Sequence, residues 1–372
     1  MARVAIRVSR CRGAMTAGLV LVLAAGCGAG ASAGPAGTPA VAASARVTIS
    51  ETGSTLLFPL VGKWASGFHQ EHPNVVTTSA ATGSGAGIAG ASAGTADIGA
   101  SDAYLSAGDL VQNPALLNVP LVVSAQQVDY NVPGLPAGTH LRLDTAVLAR
   151  LYSGSITAWN DPALAALNPG VHLPGTAVVP VHRSDASGDT FLFTSYLSAG
   201  FAAWSSTAGY GTTVAWPRVP RAAAQRGNAA MVSGCAATRG CVAYIGISYL
   251  SAALAAGLGE AQLANPAGQF VLPTAATIAA EVASFVSATP PDETISMVDG
   301  PAADGYPIVN YEYAIVRTRP RSAAAGRAIR AFLRWAITAG SSAQYLGPVR
   351  FQPLPADVVT LSEAQIARIG AP

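Results

Sequence analysis

Val178 to Leu197 reads VVPVHRSDASGDTFLFTSYL. The β-branched run at its start predicts a buried strand, and the residues from Thr190 onward predict an amphipathic helix. Between them lies a polar elbow holding Arg183, Ser184, Asp185, Ser187, Gly188 and Asp189. A strand that stops in Ser and Gly at a helix start leaves backbone N–H groups pointing outward. The positive end of the helix dipole adds to them, so the corner suits an anion. Arg183 contributes a planar fork of donors that matches an oxyanion.

The same unit occurs twice upstream. Arg46 to Ser50 alternates like a strand, ETGST at 51–55 forms an elbow, and Leu57, Leu60, Trp64 and Phe68 follow at helical spacing. Asn74 to Ser79 reads as the next strand, and TGSGAG at 82–87 as a second elbow before a small-residue helix. A short strand, Ala96 to Ala100, then ends in Ser101 and Asp102. Recurrent strand–helix alternation predicts an α/β fold with a largely parallel sheet. Ser and Thr are also ordinary helix caps, so one such elbow would mean little. Three of them, with Arg183, Asp102 and Asp189 alongside, point to a ligand.

Further along, Leu116–Val123 and Val128–Val132 are strand candidates around the polar Gln126 and Gln127, and 133–139 is a turn-rich break. Cys241–Tyr249 and Pro307–Val316 read as buried strands, and Ala323–Thr338 as an amphipathic helix closed by Gly340. The break at 126–139 and the strand at 308–316 are read as two crossings between lobes. One lobe then comprises 46–127 plus 300–372, and the other 128–299. Two strands joining two lobes form a hinge with a ligand in the cleft.

Length and charge narrow the function. The 372 residues suggest two domains, and 51% hydrophobic content excludes a disordered chain. The formal charge of +2 misleads. Arg3, Arg7, Arg10 and Arg12 precede the first acid, Glu51, so the chain after residue 26 carries 17 basic against 19 acidic side chains. That balance does not suit a nucleic-acid partner. The four arginines lead into an apolar run at 13–26, too short to span a bilayer comfortably, so 1–26 reads as an export signal. LAAGC at 23–27 resembles a bacterial lipobox, with Ala24 where a larger aliphatic is preferred. Cys27 would then carry lipid, and the Gly/Ala/Ser/Pro-rich 27–45 would be a flexible tether. Of the four cysteines, Cys11 leaves with the signal. In an exported chain Cys235 and Cys241 suit a small-loop disulfide. A metal site is the alternative, but two cysteines without neighbouring histidines make a poor ligand set, and no metal or cofactor is expected.

Two enzymatic patterns occur in part. GAGIAG at 85–90 matches the dinucleotide-binding pattern, with Asp102 downstream, but it lies in a Gly/Ala-rich run where the pattern arises easily. A serine hydrolase or phosphatase could use Ser54, Ser84 or Ser187, yet no G-x-S-x-G occurs, and His182 is the nearest candidate base.

The stretches TGSTLLFP at 52–59, TGSGAG at 82–87, IGASDAYL at 98–105 and HRSDASGDTF at 182–191 resemble the PstS family. These are periplasmic or lipid-anchored phosphate-binding proteins of ABC importers. LNPG at 167–170, GYPI at 305–308 and FLRW at 332–335 support the resemblance, which spans about 46 to 367. It implies a two-lobe, type II periplasmic-binding-protein fold that closes like a Venus flytrap. It also implies roles. Ser54, Thr55 and Leu56 would donate from the first elbow, Ser84 from the second, and Arg183, Ser187 and Gly188 from the third. Asp102 and Asp189 would accept hydrogen bonds from ligand protons. Ala186 stands where the family usually has glycine, and Asp189 where many members have threonine, although a lipid-anchored subgroup has aspartate. The expected function is capture of inorganic phosphate without covalent chemistry. The expected partners are the importer's permease and, through it, the ATPase, reached by a monomer anchored on the outer face of the bacterial membrane. A receptor of the same fold for sulfate or molybdate is the alternative.

Overall fold

The structure, a computed structural model, describes residues 46–136 and 138–370; the signal, Cys27 and the tether expected at 1–45 lie outside them. Strand β1 (Val47–Gly53) pairs in parallel with β2 (Val75–Thr78) and β3 (Ile98–Ser101). Strand β4 (Leu116–Asn131) pairs antiparallel with β7 (Cys241–Gly246) and β8 (Ile308–Arg317). Strands β5 (Val179–Arg183) and β6 (Ala223–Gln225) complete the sheet path, whose spatial order is β2-β1-β3-β8-β4-β7-β5-β6.

β4 joins the two halves of this path. Its residues Leu116 to Ala125 pair with β8, and Gln126 to Asn131 pair with β7. It is buried from Leu116 through Tyr130, as a strand covered on both faces must be. The sequence pattern suggested two strands broken at Gln126 and Gln127. The structure has one, because both glutamines are fully buried and keep the ladder through their backbones. β8 pairs with the first half of β4 from Val309 to Arg317 and with β3 through Tyr313 to Ile315.

One continuous hydrophobic core runs under the sheet path, and each half of it has its own aromatic cluster. In the first, α1 (Phe58–Glu71) sets Trp64 and Phe68 edge-on against Phe332, and Phe68 also meets Trp335 edge-on; both partners lie on α5 (Ala323–Ile337). Burying side chains of this size contributes roughly 1.5–3 kcal/mol each. Ser322 starts α5 by accepting from the Ala325 N–H at 3.1 Å. In the second half, Phe193 and Trp216 each stack on Tyr244, and Tyr152 packs beside all three. Cys235, near the end of α4 (Gly227–Ala236), is bonded to Cys241 at the start of β7, with the Cα atoms 5.3 Å apart. The dinucleotide-like glycines have a packing role instead. A side chain on Gly87 would strike the Ala100 and Thr52 carbonyl oxygens, so glycine lets α2 (Ser84–Ala93) sit close on β1 and β3.

Candidate anion-binding site

The three elbows meet. Ser54 follows β1 and leads into α1, and its hydroxyl donates to Asp102 Oδ1. Ser84 is the first residue of α2, and its Oγ accepts from the Asp102 N–H at 3.2 Å. Ser187 caps α3 (Gly188–Gly200) by accepting from the Thr190 N–H at 3.3 Å. A methyl group added to Gly188 would stand 2.4 Å from Asp102 Oδ2 and 2.6 Å from Ser84 Oγ. The helix starts of α2 and α3 therefore converge on one carboxylate. Ala186, where the family usually has glycine, places its methyl against Gly85, and its carbonyl accepts from the Gly85 N–H at 3.0 Å. The missing side chain at Gly85 makes room for the extra carbon at 186.

Arg183 lies at the end of β5, 3% exposed. Its Nε donates to Asp185 Oδ1 at 2.8 Å, its second terminal nitrogen to Asp185 Oδ2, and its first to Asp189 Oδ2. Burial disfavours the guanidinium charge, but Asp185 and Asp189 outweigh it and hold Arg183 protonated. Asp189 does not cap its helix, since Ser187 has that role. Its carboxylate instead takes the Arg183 contact, an Asn228 Nδ2 hydrogen bond at 2.8 Å and a Gln126 Nε2 hydrogen bond at 3.2 Å. Burial pushes the Asp189 pKa up against those donors.

Asp102 is the acid turned toward all three elbows. It is 2% exposed, and burial, then the Asp189 charge, push its pKa up to about 7. Hydrogen bonds with Glu312 and Ser54 and the field of Arg183 act the other way. The arrangement is thus a buried acceptor among hydroxyls and helix N-termini, with one guanidinium behind it. Such a site holds an oxyanion through dipoles, and it favours an anion that brings a proton to share.

All nine ligand-contact candidates lie here: Ser54, Thr55, Leu56, Ser84, Asp102, Arg183, Ser187, Gly188 and Asp189. Thr55 and Leu56 differ from the rest in what they touch. Thr55 Oγ1 accepts from Asn228 Nδ2 at 2.9 Å. Leu56 packs against Gly246, and its carbonyl accepts from Ser248 Oγ at 2.8 Å. The sequence reading missed Asn228, Gln126 and Glu312, which hold these residues in place. Asn228 links Thr55 to Asp189 and accepts from the Gly246 N–H at 2.8 Å. The hydrolase reading finds no base: His182 stacks on Trp216 with ring centroids 4.7 Å apart. Among the described residues no histidine is hydrogen-bonded to Ser54, Ser84 or Ser187. A cavity of about 600 Å³ adjoins the elbows, with Gly85, Ala103, Tyr104, Phe191, Tyr210 and Thr212 among its walls.

Comparison with known proteins gives the family. Residues 38–339 match the PBP superfamily domain. Phosphate-binding protein PstS of Methanocaldococcus jannaschii is 34% identical over 338 residues, covering 85% of this chain and 84% of that one. PstS of Xylella fastidiosa is 31% identical over 326 residues, covering 88% and 86%. Among solved structures, a phosphate-binding protein from Stenotrophomonas maltophilia shares the fold with a TM-score of 0.65 at 19% identity, covering 86% of this chain and 94% of that one. A two-lobe α/β fold, three convergent elbows and relatives matched over most of their length place the chain in the PstS family of the periplasmic-binding-protein superfamily.

Proposed function

We propose that this chain captures inorganic phosphate between its lobes and delivers it to an ABC importer, acting as a binding protein and not as an enzyme. The observation that carries the reading is Asp102. Its Oδ2 faces Gly188 and Ser84 at the meeting of two helix starts, so a protonated oxyanion finds both donors and an acceptor there. Phosphate keeps a proton near neutral pH and sulfate keeps none, so Asp102 rejects sulfate by like-charge repulsion. In this reading Thr55, Leu56, Ser84, Ser187 and Gly188 donate to the ligand; Ser54, expected as a donor, instead commits its N–H to Ala100 O and its hydroxyl to Asp102, and so steadies the acceptor. Arg183 supplies the cation, and Asp102 and Asp189 accept ligand protons.

The wider reading has a monomer made of one lobe from 46–127 plus 300–372 and a second from 128–299. Cys27 carries lipid on the outer face of the membrane, and the importer's permease receives the ligand. Calorimetry of the soluble fragment with phosphate, sulfate, arsenate and phosphate esters tests the ligand assignment. Tight phosphate binding with sulfate rejected is expected, and tighter sulfate binding would overturn it. Cys27→Ala should release the exported protein from membranes; an already soluble wild type would remove the anchor.

A further inference from the structure

Behind Asp102, on the side away from Gly188, lies a second acid that the binding reading does not use. Glu312 projects from β8 and is fully buried. Its Oε1 accepts from Asn310 Nδ2 at 3.0 Å and lies 2.6 Å from Ser124 Oγ, whose single hydrogen is shared between Glu312 and Asn310 Oδ1 at 2.7 Å. Its Oε2 lies 3.5 Å from Ser54 Oγ, the same hydroxyl that reaches Asp102 Oδ1, so the two acids meet at one serine.

Counting hydrogens around Ser54 locates a proton. The Ser54 hydroxyl has one hydrogen, which goes to Asp102 Oδ1, and its oxygen accepts from the Leu57 N–H at 2.9 Å. Ser54 has no hydrogen left for Glu312 Oε2, so a hydrogen between the two acids has to come from one of the acids themselves. Two carboxylates in one dry site cannot both ionise cheaply, so the pair holds a proton between them. Arg183 favours the charged form of Asp102. Glu312 has neutral donors, Ser124 and Asn310, and burial followed by the Asp102 charge drives its pKa well above the usual range. The other charged group facing the pair is Asp189, from the start of α3, and it raises Asp102. β4 contributes Ser124 and Gln126, both uncharged.

We propose that Glu312 is a positioning residue for phosphate: it keeps a proton, donates it to Asp102 from behind, and so holds Asp102 as an acceptor with Oδ2 turned to the ligand. The inference rests on the phosphate reading above.

The test is a phosphate-minus-free infrared difference spectrum of the mature chain carrying ¹³C-labelled glutamate. Ligand addition should shift the C=O band of a protonated glutamate, and that band should vanish in Glu312→Gln. Glutamine keeps the donor, so Glu312→Gln should bind phosphate within about threefold of wild type and still reject sulfate. A difference spectrum without a protonated-glutamate band overturns the inference, and it needs no variant to fold. So does a gain in sulfate affinity of roughly tenfold or more in Glu312→Gln, the mark of a charge removed. A wild type that binds no phosphate at all would remove the functional reading and this inference with it. A wild type that binds phosphate without the band removes this inference alone.

Discussion

Gly188→Ala separates closure of the cleft from donation to the ligand. The substitution keeps the Gly188 N–H, so any hydrogen bond from that group to an anion survives. The added methyl would stand 2.4 Å from Asp102 Oδ2, 2.5 Å from Asp102 Cβ and 2.6 Å from Ser84 Oγ. Side-chain rotation can move Oδ2 aside, but Asp102 Cβ is fixed by its backbone, which Ser84 and Asn310 both hold. The elbows must separate by several tenths of an ångström. Overpacking of this kind costs about 1–3 kcal/mol, which is roughly a 5- to 150-fold loss of affinity. Alanine is the better helix former, so the helix start of α3 is not weakened. Calorimetry should therefore show weaker phosphate binding, and the melting temperature of the variant should fall as well, because the methyl meets Asp102 and Ser84 in the fold itself. Affinity within twofold of wild type would refute the reasoning, since it would mean that α3 and Asp102 do not close on each other when ligand binds.

Arg183→Ala leaves Asp185 and Asp189 buried without their cation; such truncations cost about 2–5 kcal/mol, so calorimetry should show at least a tenfold loss of phosphate affinity, and an effect below twofold would contradict the assignment. Asn228→Ala strips a donor from both Thr55 and Asp189 and should weaken binding by about 1–3 kcal/mol; unchanged affinity would make Asn228 incidental to the site. Stability should depend on pH in an unusual direction. Burial pushes the pKa of Glu51 and Glu281 up to about 7 and that of Glu293 up to about 8. The folded chain thus keeps protons that the unfolded chain has released above about pH 4.5, so stability falls as pH rises from about 4.5 to about 8. Thermal unfolding of the ligand-free chain should show a declining melting temperature across that window, and a rise would show that these acids are ionised in the fold.

What the sequence disclosed depended on distance along the chain. Each elbow is a local signal, with strand, Ser/Gly turn and helix inside about 20 residues, as in 178–197, so all three elbows were legible. The Cys235–Cys241 bond was legible for the same reason. Glu312 was not, because PIVNYEYAIV at 307–316 reads only as an apolar strand, and its one acid meets Asp102 through a pairing 210 residues away in sequence. Asn228 carries no local mark either; its role comes from where α4 starts relative to Thr55 and Asp189. Gln126 misled the reading outright. A polar pair inside an apolar run looks like a break, yet Gln126 is buried because Asp189 supplies its partner.

The account turns on Asp102 as the acceptor that recognises a ligand proton. Its most direct test is calorimetry of wild type and Asp102→Asn with phosphate and with sulfate in the same buffer. Asparagine presents a donor where aspartate only accepts, so a dianion without protons is no longer repelled. A buried like-charge contact costs several kcal/mol, on the order of a thousandfold in affinity, and the substitution should return much of that to sulfate while weakening phosphate. The predicted result is a phosphate-to-sulfate preference that shrinks by tenfold or more, on the scale of one lost charge repulsion of roughly 1.4 kcal/mol or above. A variant that rejects sulfate as strongly as wild type would contradict the account.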